Sequence, residues 1–237
     1  RGEKLMLVGD PQQLKPVILL DELTNRKLRR KYHVADEYDY RENSIYKTYL
    51  ACDAVSDEIL LRNHYRCNKK IIDFNNKKYY NSKLQVQSDS RERQPLVYVN
   101  VDGGPGDMKN TSPAEVEEIM RYAGENPDKS IAVITPFVNQ RILIERGIKE
   151  NGFEHVVCGT VHAFQGDEKD VVLFSTALSD RTGKGTYDWL KNNKELINVA
   201  TSRAKDKLIL LADGKELERL HQGNEDDDLY ELVQYVK

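Results

Sequence analysis

The sequence predicts an α/β fold, a mostly parallel sheet flanked by helices, and three observations carry that expectation. Short runs of continuous apolar residues recur along the chain, at Leu5–Val8, Leu96–Val101, Ile131–Ile134, Val171–Phe174 and Leu208–Leu211. Such runs suit parallel strands covered on both faces. Helical patterns separate them, and strands alternating with helices make a parallel sheet. Gly-, Pro- and Asp-rich turns punctuate the runs, with loops expected at 85–95, at "DGGPGD" (102–107) and at "SDRTGKGT" (179–186).

Size and composition bound the rest. The 237 residues are 39% hydrophobic and 32% charged, with a formal net charge of −3. That is the composition of a globular protein with a wet surface, and any basic surface must be local. Cys52, Cys67 and Cys158 are scattered, with no CxxC pair and no zinc spacing. An odd count argues against a disulfide framework, so a reducing compartment is expected, cytoplasmic or nuclear. No apolar run approaches the ~20 residues of a membrane span. The chain opens on Arg1 with a strand expected within a few residues, which reads as a piece cut from a longer protein.

The elements follow in order. Leu5–Val8 is the first expected strand, and "GDPQQLKP" (9–16) is the loop at its end, stiffened by Pro11 and Pro16. In open α/β sheets ligands bind beyond the carboxyl ends of strands. A glutamine amide there can donate to a phosphate oxygen or orient a water. "VILLDE" (17–22) resembles a metal-holding acidic strand, but Leu23 and Leu28 suggest that it runs on as a helix. "RKLRRK" (26–31) suits either phosphates or a solvated helix face.

"LLRNHYRCNKKIIDF" (60–74) joins a strand end to an amphipathic helix, with Tyr65 offering a stacking face and Arg66 a phosphate fork. "SPAEVEEIMRYA" is the clearest helix. Ser112 is its N-cap, Pro113 fits the first position and Glu115 completes a capping box. "VITPFVNQ" (133–140) again ends a strand with a polar turn. "GTVHAFQGDEKDVVLF" (159–174) has a short polar turn before a buried strand. "RTGKGT" is no P-loop, because Gly185 follows Gly183-Lys184 and Leu178 stands where the first glycine belongs. "NEDDD" (224–228) reads as a solvated loop before the last helix.

"ELINVATSRAKDKLILL" (195–211) repays a helical wheel. Leu196, Ile197, Val199, Ala200 and Ala204 share one face, and Arg203 falls inside it, while Asn198, Ser202 and Lys205 fall opposite. An inward arginine is costly unless paired with an anion. Either a buried protein carboxylate or a phosphate would serve.

The order of these stretches then matters. GDxxQLxP, NxYR, TPxxxQ, TVHxFQGxExD and NVAxSRAK form the motif series of superfamily 1 helicases. The chain resembles the last third of that motor, nearest the branch of the nonsense-mediated-decay helicase. "NHYRCNKK" departs from the pattern, with Asn68 and Lys69 where relatives often have His-Pro. The resemblance implies a RecA-like (P-loop NTPase-type) fold. Residues 1–56 would be the remnant of the first RecA-like domain and a connecting segment, and 57–237 the second RecA-like domain.

It implies an ATP-dependent helicase or translocase, with ATP and Mg²⁺ bound between two such domains and Mg²⁺ held mainly by upstream motifs. Gln13, Arg66 and Arg203 would be catalytic, with Gln13 sensing the γ-phosphate and Arg203 acting as arginine finger. Asp10, Tyr65, Gly166 and Glu168 would complete the ATP site, Glu168 on the ribose hydroxyl. Thr135, Pro136, Thr160 and His162 would lie along a single strand of DNA or RNA. His162 could equally be a hydrogen-bonded loop histidine. The alternative is a non-catalytic module that binds nucleic acid or a partner; a nuclease lacks a convincing metal cluster.

Overall fold

The computed structural model describes residues 6–14, 18–52, 59–102, 104, 108–164 and 166–237. The chain divides into two compact units, Arg1–Leu61 and Arg62–Lys237.

The first unit carries helices α1 (Glu22–Tyr32) and α2 (Ile45–Cys52), joined through a 3₁₀ turn at Asp36–Tyr38. The expected strand at Leu5–Val8 is not there in its described part: residues 6–10 have no regular structure, and Met6 and Val8 are exposed. A strand needs a neighbour to bond to, and the described residues of this unit hold no other strand. Asp21 is the N-cap of α1, accepting from the Thr24 amide at 2.9 Å. The basic run lies on α1. Arg26 pairs with Glu22, and Arg29 with Asp36 and Asp39. Asn25, buried, donates to the same Asp39.

The second unit is RecA-like, with a five-stranded, all-parallel sheet at its centre. A two-residue strand β1 (Asn63–His64) pairs with β2 (Gln85–Val86), so the expected 85–95 loop starts two residues late. Helix α3 (Lys69–Tyr79) lies between them, and its start explains the departure at Asn68-Lys69. Asn68 is the N-cap, accepting from the Lys70 amide at 3.0 Å.

The main sheet consists of β3 (Leu96–Asn100), β4 (Ile131–Ile134), β5 (Val156–Gly159), β6 (Lys169–Ser175) and β7 (Ala204–Ala212), in spatial order β3-β7-β6-β4-β5. Most of the 102–107 stretch lies outside the described residues. Helices α4 (Pro113–Glu125) and α5 (Val138–Asn151) cover one face. There Ile119 and Ile144 meet Ile131, Val133, Val171, Leu173, Ile209 and Leu211. The alternate residues Ala132, Ile134, Val172, Phe174, Leu208 and Leu210 are just as buried on the other face. Helix α7 (Lys194–Thr201) packs there on β6, and α3 on β7. Each such aliphatic side chain contributes roughly 1.5–3 kcal/mol by leaving water, which is why both faces must be apolar.

Helices α6 (Lys184–Lys191), α8 (Gly214–His221) and α9 (Asp228–Val236) complete the unit. Helix α6 takes up the end of the expected 179–186 loop. The acidic 224–228 run is not solvated throughout. Asp227 is buried, caps α9, and accepts from the Tyr187 hydroxyl at 2.6 Å.

The capping box at α4 forms only by half. Ser112 accepts from the Glu115 amide at 3.3 Å, but the Glu115 side chain turns into the protein and is fully buried. It meets the hydroxyls of Ser175 at 2.5 Å and Thr176 at 3.2 Å and the Ala177 amide at 3.0 Å. Gln140 closes the network, donating to Ser175 at 3.0 Å. The Ser112 amide that a capping box would use is itself buried and donates to Gln140 Oε1 at 2.9 Å, which leaves Glu115 to the fixed donors at the carboxyl end of β6. Burial pushes the Glu115 carboxyl up to about 8.

Candidate functional site

The wheel over 195–211 fails after one helix. Helix α7 ends at Thr201, and β7 begins at Ala204. Arg203 is therefore not on a helix face but in the joint between helix and strand. It is nonetheless 3% exposed, and Asn198 and Ser202, expected on the opposite side, are buried as well. Helix α7 is buried from Leu196 to Thr201, so its polar side chains bond inside the protein. Asn198 donates to the Tyr80 hydroxyl at 2.9 Å.

This joint builds a rim at the amino ends of β6 and β7. The strands are parallel neighbours, with Lys169 opposite Ala204, and the Lys169 amide donates to the Arg203 carbonyl at 3.1 Å. Residues 166–168 and 202–203 thus lie side by side. The loop between β1 and α3 is pinned onto them. The Asn68 amide donates to the Lys205 carbonyl at 2.7 Å, and the Cys67 thiol to the Ser202 carbonyl at 3.3 Å.

Arg66 is fixed by that pinning. Its Nη1 donates to the Ser202 carbonyl at 3.2 Å and its Nε to Glu168 at 2.6 Å. Lys205 Nζ takes the other oxygen of Glu168 at 3.0 Å. Arg66, and then Lys205, hold the Glu168 carboxyl below the usual carboxylate range. Glu168 in turn raises Lys205. Burial, and next the charge of Arg66, lower the proton affinity of Arg203. Two guanidinium groups from distant parts of the sequence thus stand within each other's field, with the carboxylates of Glu168 and Asp167 beside them.

His64 and Cys67, beside Arg66, are neutral. Burial, reinforced by Arg66, pushes His64 down to about 4, and its Nε2 accepts from the Cys67 amide at 3.0 Å. Burial pushes the Cys67 thiol up to about 12, so it stays protonated. Gly166, at φ +93°, makes the turn that aims Glu168; a side chain there would strain the backbone.

The other expected residues form two further groups. Tyr65 is 68% exposed beside Arg66. Asp10 and Gln13 belong to the first unit. There Asp10 accepts from the Gln13 side-chain amide at 2.8 Å and from the Gln12 backbone amide at 2.9 Å.

Thr135, Pro136, Thr160 and His162 gather at the carboxyl ends of β4 and β5. Ile134 pairs with Gly159, and the Thr135 amide donates to the Gly159 carbonyl at 3.2 Å. Thr135 is fully buried, its hydroxyl accepting from the Phe137 amide at 3.4 Å. Pro136 and Thr160 are half-buried, and His162 is exposed on a 3₁₀ turn at Val161–Phe164. A side chain at Gly159 would meet Ala163 Cβ at 2.9 Å, so only glycine lets that turn pack onto the strand. Arg66, Glu168 and Arg203 lie at strand amino ends in the second unit, and this polar group at strand carboxyl ends.

Lys205 escaped the sequence reading. The period changes from 3.6 to 2 after Thr201, and period 2 would have put positions 203 and 205 on one side. The wheel placed them apart.

Comparison with known proteins identifies the family. The family model described as "AAA domain" matches residues 41–215. The "Uncharacterized ATP-dependent helicase MJ0104" of Methanocaldococcus jannaschii is 27% identical over 100% of this chain and 35% of its own length. The "RNA helicase Mov10l1" of Mus musculus is 27% identical over 91% of this chain and 21% of its own. The chain thus spans about a third or less of these relatives. Among solved structures, the C-terminal domain of a "possible DNA helicase" from Lactobacillus plantarum is 18% identical, with a TM-score of 0.44 over 67% of this chain and 95% of that one.

Proposed function

Because the chain belongs to the AAA domain family, in its superfamily 1 helicase branch, we propose that it is the C-terminal motor part of an ATP-dependent nucleic-acid helicase or translocase. In this reading residues 1–56 end the first RecA-like domain, and 57–237 form the second. The observation that carries it is the rim at the amino ends of β6 and β7. There Arg66 and Arg203 stand within each other's field, and Glu168 is held between Arg66 and Lys205.

The residues suit a nucleoside triphosphate. Two guanidinium groups match phosphate oxygens, and a carboxylate that stays ionised accepts from a ribose hydroxyl. Tyr65, exposed next to Arg66, offers a ring to the base or ribose. Bound ATP with Mg²⁺ supplies the phosphoanhydride whose hydrolysis drives motion. Arg203 stabilises the charge that develops on the transferred group, and its burial strengthens that effect. Gln13, oriented by Asp10, orients the attacking water and reports on the γ-phosphate. Arg66 exchanges Glu168 for phosphate when the site fills, which couples occupancy to the loop at 64–68. Pro136, Thr160 and His162 hold the strand without reading its sequence, since backbone and hydroxyl contacts to phosphate carry no sequence information, and buried Thr135 fixes their turn from within.

The test is single-strand-stimulated ATPase on a form of the protein that includes a P-loop, as wild type and as Arg203→Ala. A finger contributes roughly 10³–10⁵ in rate, so the variant should be nearly inactive with its fold unchanged. A variant as fast as its parent would return Arg203 to a structural role and favour a non-catalytic binding module.

A further inference from the structure

Trp189, the chain's single tryptophan, stands where helix packing gives no reason for it. Helix α6 buries Tyr187, Leu190 and Lys191. At about 100° per residue, position 189 points away from the middle of that face. The ring is 48% exposed. An amphipathic helix ordinarily places a charge or a small polar residue there.

The ring is not adrift. Its centroid lies 6.0 Å from that of Phe137, at an interplanar angle of 46°. Phe137 is buried and directly follows Thr135 and Pro136 at the carboxyl end of β4. The contact holds Trp189 beside the group proposed to face the strand. Val138, next in sequence, is 55% exposed.

The charge around the pair suits an anion. Phe137 is the N-cap of α5 and brings no side-chain oxygen to its first turn. That positive helix end borders the aromatic pair. Asn139, in the same turn, donates to the backbone carbonyl of exposed Lys109 at 3.0 Å. The nearest acid on α6, Asp188, is paired with Lys191 at 3.3 Å.

We propose that Trp189, backed by Phe137, is a stacking platform for one base of the bound single strand, whose phosphate lies toward the amino end of α5. The inference rests on the nucleic-acid reading above and adds a specific contact to it. Stacking accepts any base, as a motor that moves along a strand requires.

A unique tryptophan makes the test direct. The 237-residue chain is titrated with a 5′-labelled dT₁₅, and with an abasic oligomer of the same length. Label anisotropy reports binding, and intrinsic fluorescence reports Trp189. Binding of dT₁₅ should quench the tryptophan, and the abasic strand should bind more weakly without quenching it. Trp189→Ala should raise Kd roughly 5- to 150-fold, the range measured for one stacked base, and Trp189→Phe should recover most of the loss.

Binding of dT₁₅ with no change in Trp189 emission, or an unchanged Kd in Trp189→Ala, overturns the platform and leaves the nucleic-acid reading intact. The apolar patch would then belong to a protein partner. Failure of both strands to bind overturns the platform together with the reading beneath it.

Discussion

Glu115→Gln should remove a pH dependence built into the core. The wild-type carboxyl is fully buried at the carboxyl end of β6 and is raised from 4.5 to about 8. Burial decides the direction and outweighs the hydrogen bonds, which favour the ion. The Thr176 hydroxyl divides its one proton between the Leu211 carbonyl at 3.0 Å and Glu115 Oε1 at 3.2 Å. Ser175 and the Ala177 amide donate to the carboxyl, as they would to a glutamine oxygen.

The sign follows from the two pH limits. In the unfolded chain the carboxyl ionises near 4.5, and in the fold it keeps its proton to about 8. Folding therefore takes up a proton between those limits. Stability is full below pH 4.5, falls as pH rises, and levels off above about 8. At about 1.4 kcal/mol per pH unit, the loss across the window is on the order of 5 kcal/mol, a large share of a typical domain's stability. Glutamine does not titrate, so the variant should gain on wild type steadily from pH 5 to pH 8.

Urea unfolding followed by Trp189 fluorescence reads the second unit at each pH, and the difference between the two proteins removes every other titrating group. A difference that stays flat, or that grows in favour of wild type at high pH, would mean that Glu115 is charged in the fold. The reasoning from burial would then be wrong.

Two further outcomes test the nucleotide site. Lys205→Met removes one of the two cations that orient Glu168. In a form with a P-loop it should raise the KM for ATP several-fold and leave kcat nearly unchanged; a collapse of kcat would make Lys205 a phosphate contact instead. The 237-residue chain itself should turn over ATP negligibly, because its sequence has no loop of the kind that cradles the β- and γ-phosphates. Steady hydrolysis by the purified chain, measured as released phosphate, would contradict the assignment of the rim to one half of a shared site.

The amino-acid sequence by itself determined the alternating architecture and most strand positions in the second unit. Runs such as Ile131–Ile134 and Leu208–Leu211 are apolar at every position, and they must be covered on both faces wherever they go. It also pointed to the helicase family, because the order and spacing of motifs survive without coordinates. Tertiary structure alone decided where their side chains point. Glu115 fits a capping box by local rules, yet donors from β6, about sixty residues away in sequence, draw it inward. Arg203 looks helical until the chain turns into β7, and its neighbours Arg66 and Glu168 come from separate loops. Leu5–Val8 has the composition of a strand, but no described strand of its own unit pairs with residues 6–8. Local sequence encodes propensity and periodicity, whereas hydrogen-bond partners and fields are set by residues far away in the chain.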